Sequence, residues 1–531
     1  MMETAGLLSV LPPLLVVVLA ITTKNIIFSL TLGLVCGLGI FGLTSPALES
    51  DNFLDLIMYG LELMTQTVGM RDNLLLLLFL ALLGGIIAIL TAAGCTRAFA
   101  GAVVKRLKSR RGAQFVCFLL GCLIFIDDYF NAVMVGNVSV DITDKFRISR
   151  AKLAYLIDST SAPVTILVPV SSWVAAIISM IMPELARYGL AESGMSIFME
   201  CVVFNFYAWF VLLMVVIVIA FDVDIGSMRT YEEGLAQTGL DDSVFVDVNE
   251  SVVDDMACRQ RGTALDLVAV LSALVLMAVG FMLYTGGFWA GENSLQQALL
   301  NCDPNIALAG AGFITLALCF GLFVLRGRLS FAKFNEAFLH GLKSMLVSVV
   351  ILVLSWTFSV LLGRDGLGTG VYVADMLIGR LPIWALPAAV FFVSALVSFS
   401  TGASWGAMGI MLPTAIAMCA AMNPAYLNVV LGATLAGAVF GDHCSPLADT
   451  TVLSASGAGC KHLVHVRTQL PYALTAGVIS LLAFLLAGIT QSLLLAMGFG
   501  VVSLVLWGYC CRRQKLFVKG VCNIYKSKSL S

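Results

Sequence analysis

Charge is what this sequence lacks. Only 12% of its 531 residues are Asp, Glu, Lys or Arg, about half of the roughly 25% usual in soluble proteins. So few charges cannot coat soluble domains of this total length, which excludes an ordinary soluble enzyme and a disordered chain. Histidine is scarcer still, with four residues, and the 14 cysteines are scattered through apolar stretches without CxxC spacing. They read as small apolar core residues, not as a metal centre or a disulfide framework. A net charge of −2 gives nucleic acid nothing to bind. The opening Met1-Met2-Glu3 lacks the basic start of a secretory leader, so the first apolar run is expected to be a span.

What is abundant is apolar sequence, 60% of the chain. About eleven stretches have the roughly 20 apolar residues that a spanning helix needs. They lie near 5–22, 25–43, 73–94, 153–182, 198–221, 264–285, 304–325, 340–362, 425–458, 470–490 and 491–510. Their apolar character is continuous, not alternating, so helices and not a β-barrel are expected. Residues 51–70 read as an amphipathic interfacial helix. The segment 222–263 carries ten acidic and three basic residues and reads as a solvated cytoplasmic loop.

Two further apolar stretches, 112–145 and 383–420, are interrupted by DDYFN and STGAS. Each could cross once or return as a re-entrant hairpin. Basic residues concentrate on the cytoplasmic side. With both stretches as hairpins, and the loop of Lys105, Arg106, Lys108, Arg110 and Arg111 inside, only Arg71, Arg187, Arg364 and Arg380 of the 30 basic residues fall outside. The same arrangement places the N-terminus outside and the basic C-terminal tail in the cytoplasm. The spans 153–182 and 425–458 also contain polar breaks, Asp158-Ser-Thr-Ser-Ala-Pro163 and Asp442-His-Cys-Ser-Pro446.

The expected fold is therefore an all-α integral membrane protein, about eleven transmembrane helices plus two re-entrant hairpins, with broken helices at the midplane. Residues 1–221 form a first repeat and 264–490 an inverted second one. The stretch 222–263 is the polar loop between them, and 491–531 adds one helix and the tail. Inverted repeats with broken helices characterise secondary transporters.

The breaks hold the candidate site. Asp127 and Asp128 are adjacent carboxylates flanked by apolar sequence, where an aspartate costs about 2.5–3.5 kcal/mol at bilayer depth. Such a pair could exchange a proton for a cation, or could cap a helix at a hydrated edge. Asp158, Ser159, Thr160 and Ser161 offer oxygens to a hard cation, although such hydroxyls also back-bond within helices. Ser400, Thr401 and Gly402 form the second hairpin tip, where helix ends could face a ligand. Asp442, His443, Ser445 and Asp449 form the last break. His443 could relay protons or lock Asp442 as a neutral donor. His462 and His465 read as solvated, and Trp173 and Trp405 either wall the site or simply pack. The aspartates are adjacent instead of facing each other from two helices, and no HExxH occurs, so an intramembrane enzyme is not expected.

The segments FIDDYFNAVMVGNVSVDITDKFRISRAKLAYLIDSTSAPVTILVPVSSW (125–173), STGASWGAMGIMLP (400–413) and GDHCSPLADTT (441–451) resemble the NhaC family of sodium/proton antiporters. The resemblance implies cation-coupled transport by alternating access in a cell membrane, without a resident cofactor. It implies Na⁺ and H⁺ as cargo and membrane lipid as surroundings. It carries over Asp127, Asp128, Asp158, Asp442 and Asp449 as site residues, the first four as candidate ligands of transported Na⁺. Relatives also couple these ions to small organic acids or amino acids; no Arg or Lys stands at a break here to pair with one. The surplus spans could serve a homodimer.

Overall fold

The computed structural model describes residues 6–23, 25–44, 53–104, 107–190, 193–244, 262–363, 366–369, 372, 380–446 and 448–528. Among them every regular element is helical, as long apolar runs demand of a backbone that must satisfy itself. The first half runs α1 (Leu11–Thr23), α2 (Ile26–Thr44), α3 (Phe53–Gly69), α4 (Arg71–Ala92), α5 (Cys95–Val104), α6 (Arg110–Leu123), α7 (Asp128–Lys145), α8 (Arg150–Asp158), α9 (Ala162–Thr165), α10 (Ser172–Arg187), α11 (Gly194–Val202) and α12 (Phe206–Phe221). A connecting helix α13 (Gly226–Thr238) follows. The second half runs α14 (Ala264–Thr285), α15 (Leu295–Leu300), α16 (Pro304–Cys319), α17 (Phe331–Ser344), α18 (Leu346–Leu362), α19 (Leu386–Thr401), α20 (Ser404–Met422), α21 (Leu427–Cys444), α22 (Asp449–Ala458), α23 (His462–Thr490) and α24 (Leu493–Lys528).

Nine helices among the described residues are long and apolar enough to cross a bilayer. Three of the about eleven expected spans are not among the nine: α1 and α18 are short and α8–α10 is interrupted, whereas α20, expected as half of a hairpin, is long enough. The expected span 340–362 is in fact two elements. Lys333, Glu336, His340 and Lys343 belong to the amphipathic α17, which buries Phe334, Ala337 and Gly341 at helical spacing. The expected interfacial helix appears as α3.

Each interruption has a local cause. Gly402 turns the chain between α19 and α20 at φ +64°, a left-handed conformation that costs glycine little. Pro163 sits in the first turn of α9, where its missing N–H is harmless. Ser109, Ser149 and Ser171 cap α6, α8 and α10 by accepting from Gly112, Lys152 and Val174.

The packing of the two halves is reciprocal. The amphipathic α3 lies on α18, and its counterpart α17 lies on α4. Helix α6 packs on α7 and α8 as α19 packs on α20 and α21; α22 packs on α7 as α10 packs on α20; α23 packs on α8 as α12 packs on α21. The contact of α19 with α21 is glycine-mediated. A Cβ at Gly441 would stand 2.2 Å from the Ala395 carbonyl oxygen, and one at Gly437 would stand 2.3 Å from that of Phe391. So α21 lies directly against the α19 backbone, and Ser394 and Ser398 donate across the seam to the Thr434 and Ala438 carbonyls at 2.8 and 2.6 Å.

The acidic connection departs from expectation. Over 222–244 it is a strap, not a solvated loop. Glu232 of α13 is buried and accepts from the Ser149 N–H and hydroxyl at 2.9 and 2.6 Å while pairing with Arg110. Asp241 accepts from the Arg150 N–H at 2.7 Å, and the Ser243 hydroxyl from the Ala151 N–H at 3.2 Å. These bonds fill the orphan donors at the start of α8. Asp224 pairs with the buried Lys152 at 2.7 Å. The strap's far end reaches the other half: Lys461 N–H donates to Ser243 O, and Val244 forms an isolated antiparallel bridge with Cys460. The expected stretch 245–261 lies outside the described residues.

Candidate ion-binding site

The four breaks meet, and they meet through helix N-termini. The N–H of Ser172, which opens α10, donates to Ile126 O at 2.9 Å, and its hydroxyl donates to Asp127 at 2.8 Å. That joins the break of the second interrupted helix to the start of α7. Asn131 in the first turn of α7 donates to Gly121 O at 2.6 Å and Ile124 O at 2.7 Å, filling carbonyls left open where α6 ends. It also reaches Thr160 O at 3.3 Å. Tyr129 donates to Asp449, which opens α22. Trp173 of α10 and Trp405 of α20 pack ring against ring, centroids 4.9 Å apart at 50°. The positive ends of α7, α10, α20 and α22 are thus gathered in one place, each equivalent to roughly half a unit charge.

Carboxylates occupy that place. Asp127, Asp128 and Asp442 are buried and Asp449 is half-buried, and Asp128 lies close enough to the other three for their charges to interact. Thr450 donates to one oxygen of Asp442 at 2.7 Å and, through its N–H, to Asp449 at 2.8 Å. Trp173 stands beside Asp128, and Ser404 beside Asp442. Yet neither oxygen of Asp128 finds a well-aligned partner among the described residues, and one oxygen of Asp442 finds none either. The indole N–H groups of Trp173, with Asp128 beside it, and of Trp405 also find no well-aligned acceptor among the described residues. A buried polar group without a partner is costly, so these orphans mark where something else is accommodated.

Asp158 is placed differently. It points away from the Asp127–Asp128 pair into a second polar cluster. Thr451, His465 and Gln469 donate to one oxygen at 3.2, 3.2 and 2.5 Å, and Ser454 donates to the other at 3.3 Å. His443 faces Tyr207 at 2.6 Å and Ser159 at 3.4 Å, with Asp158 4.0 Å away. It therefore does not lock Asp442. Of the expected cation set of Asp127, Asp128, Asp158 and Asp442, Asp158 takes its side-chain donors from this second cluster.

The other expected residues divide. Thr160 and Ser161 return their hydroxyls to Leu156 O and Asp158 O, so helix back-bonding uses both. Ser445 donates to Phe399 O at 2.7 Å and ties the last break to the second hairpin. Gly402 makes the hairpin turn, while the side chains of Ser400 and Thr401 lie outside the described residues. His465 corrects the expectation of a solvated loop: it is fully buried. Its spacing was informative, since His465, Gln469 and Tyr472 share one face of α23. His462 donates to or accepts nothing in that cluster and lies 2.7 Å from Pro446 O. Tyr129, Thr451, Ser454 and Gln469 were not anticipated. Glu200 accepts from Asn428 at 2.7 Å, and Asp266 is held at the start of α14 by Thr263 and Arg328.

Residues 164–489 match the model of the Na⁺/H⁺ antiporter family. The chain belongs to that family. A Haemophilus influenzae protein of uncharacterised function is 36% identical over 511 residues, covering 95% of both chains. The malate-2H⁺/Na⁺-lactate antiporter of Bacillus subtilis is 28% identical over 234 residues, 43% of each chain. The Na⁺/H⁺ antiporter NhaC of Alkalihalophilus pseudofirmus is 27% identical over 218 residues, 40% of this chain and 45% of that one. Among solved structures, the YdaH transporter of Alcanivorax borkumensis superposes with a TM-score of 0.50 at 14% identity, covering 87% of this chain and 97% of that one. That likeness concerns the fold alone. The chain is a multi-pass membrane protein and a secondary transporter of the antiporter kind.

Proposed function

We propose that this antiporter exchanges Na⁺ for H⁺ by alternating access at the cluster of Asp127, Asp128, Asp442 and Asp449. The observation that carries the reading is Asp128: a buried carboxylate, neither oxygen with a well-aligned partner among the described residues, beside three others. A buried carboxylate without a partner is stable only when it holds a proton or a cation. The gathered N-termini temper the repulsion between the acids but are too weak to neutralise four of them. Sodium and protons therefore compete for the same oxygens. Because a bare aspartate at bilayer depth costs about 2.5–3.5 kcal/mol or more, only loaded states reorient readily, and exchange follows.

The reciprocal packing supports an inverted repeat, with α6–α7 and α19–α20 as its hairpins and α8–α10 and α21–α22 as its broken spans. The distribution of Lys and Arg supports an outside N-terminus and a cytoplasmic C-terminus.

A second reading has its own support. The orphaned indole N–H groups of Trp173 and Trp405, at two helix N-termini, suit the carboxylate of a small organic acid carried with the ions. Purified protein in liposomes holding a pH dye separates the two. Sodium alone should drive a lumenal pH change, and Asp128→Asn should abolish it while the protein still inserts. Wild-type rates in Asp128→Asn would overturn the reading. A response seen only after an organic acid is added would establish the second one.

A further inference from the structure

Two kinds of buried aspartate coexist here, and the contrast is informative. Asp128 has no well-aligned partner. Asp158 has four, and an ionised carboxylate offers about four lone-pair sites. Thr451, His465 and Gln469 converge on one oxygen and Ser454 takes the other. A sodium ion would have to compete with a donor at either oxygen.

The donors share a second property. Asp158 ends α8, in the first half of the chain, whereas Thr451 and Ser454 lie on α22 and His465 and Gln469 on α23, in the second half. Gln469 also donates to His443 O at 2.8 Å, where α21 ends. Asp158 and Gln469 together thus fasten the break after α8 to α21, α22 and α23. The buried surroundings strengthen these bonds, because no water competes for the donors.

We propose that Asp158 is not an ion ligand but the pin that couples the two broken helices, with His465 and Gln469 as its positioning residues. The pin rests on the exchange reading above for its role in turnover, though not for its existence. It transmits the rearrangement at one break to the other. Its loss should leave cation capture intact and slow the conversion between inward-facing and outward-facing states.

The test uses the full chain in proteoliposomes and measures sodium-driven proton movement as a function of sodium concentration. For Asp158→Asn and His465→Ala, the maximal rate should fall about tenfold or more with the apparent KM for sodium within about twofold of wild type. His465→Gln, which retains a donor, should recover most of the lost rate. A tenfold rise in KM for Asp158→Asn with the maximal rate preserved would make Asp158 a sodium ligand and overturn the proposal. If wild-type protein moves no protons with sodium, the exchange reading fails, and the pin is judged by melting temperature in detergent. Asp158→Asn with His465→Ala should then lose no more than the worse single variant, since both cut one contact. Additive losses would overturn the pin.

Discussion

Glu232→Gln tests whether the acidic strap is structural in the way its contacts imply. The carboxylate receives two donors from Ser149 and pairs with Arg110. Hydrogen bonds to charged groups are worth about 1.5–3 kcal/mol against about 0.5–1.5 for neutral ones. Arg110 is more than a third exposed, so its pair adds no more than about 1 kcal/mol. Glutamine keeps one acceptor oxygen and removes the charge, for a local loss of about 2–3 kcal/mol. At 1.4 kcal/mol per factor of ten, the strap should open about 30 to 150 times more often. Hydrogen exchange read by mass spectrometry should show that loss of protection at Ser149, Arg150 and Ala151, whose N–H groups are held by the strap or by its neighbours. Peptides around Asp442 should be unchanged. Unaltered protection at 149–151, or an equal loss across the whole protein, would refute the reasoning.

Three further outcomes are expected. Gly441→Ala forces its Cβ onto the Ala395 carbonyl and the Phe399 N–H, so the melting temperature in detergent should drop by the equivalent of about 1–3 kcal/mol; an unchanged midpoint would mean that α19 and α21 are not in contact. Tyr129→Phe removes a donor from the half-buried Asp449, and sodium-driven proton flux in liposomes should fall about tenfold or more at normal insertion; wild-type flux would detach Asp449 from the site. Lys152→Met breaks the buried pair with Asp224 and should destabilise by about 3–5 kcal/mol, while adding Asp224→Leu should restore most of that, as removing both buried charges commonly does. A double variant as unstable as Lys152→Met would refute this account of the pair.

The interruptions were legible because their chemistry is local. A pair of acids, a proline or a Ser-Thr-Gly run inside apolar sequence can hardly continue a span, and each of the four breaks fell where such a run stands. What escaped was long-range pairing. Glu232 looks like one of ten solvated acids until Arg110 and Ser149, more than eighty residues away, fold against it. His465 follows Lys461 and precedes Arg467, so its neighbours suggested a loop, yet its period with Gln469 and Tyr472 already placed it on a buried face. Asp158 shows the limit most plainly. Its sequence context is like that of Asp442, and only the donors arriving from α22 and α23 separate a carboxylate with a donor on each oxygen from one with an open oxygen.

The paired indoles also give the protein a built-in gauge. Trp173 and Trp405 come from opposite halves of the chain and touch at 4.9 Å, within range for their excited states to couple. The other five tryptophans (Trp209, Trp289, Trp356, Trp384 and Trp507) lie elsewhere in the sequence. Any rearrangement that parts the halves at this point breaks the couplet. Near-ultraviolet circular dichroism of the unlabelled protein would follow that separation directly, and loss of the signal in Trp405→Phe would assign it.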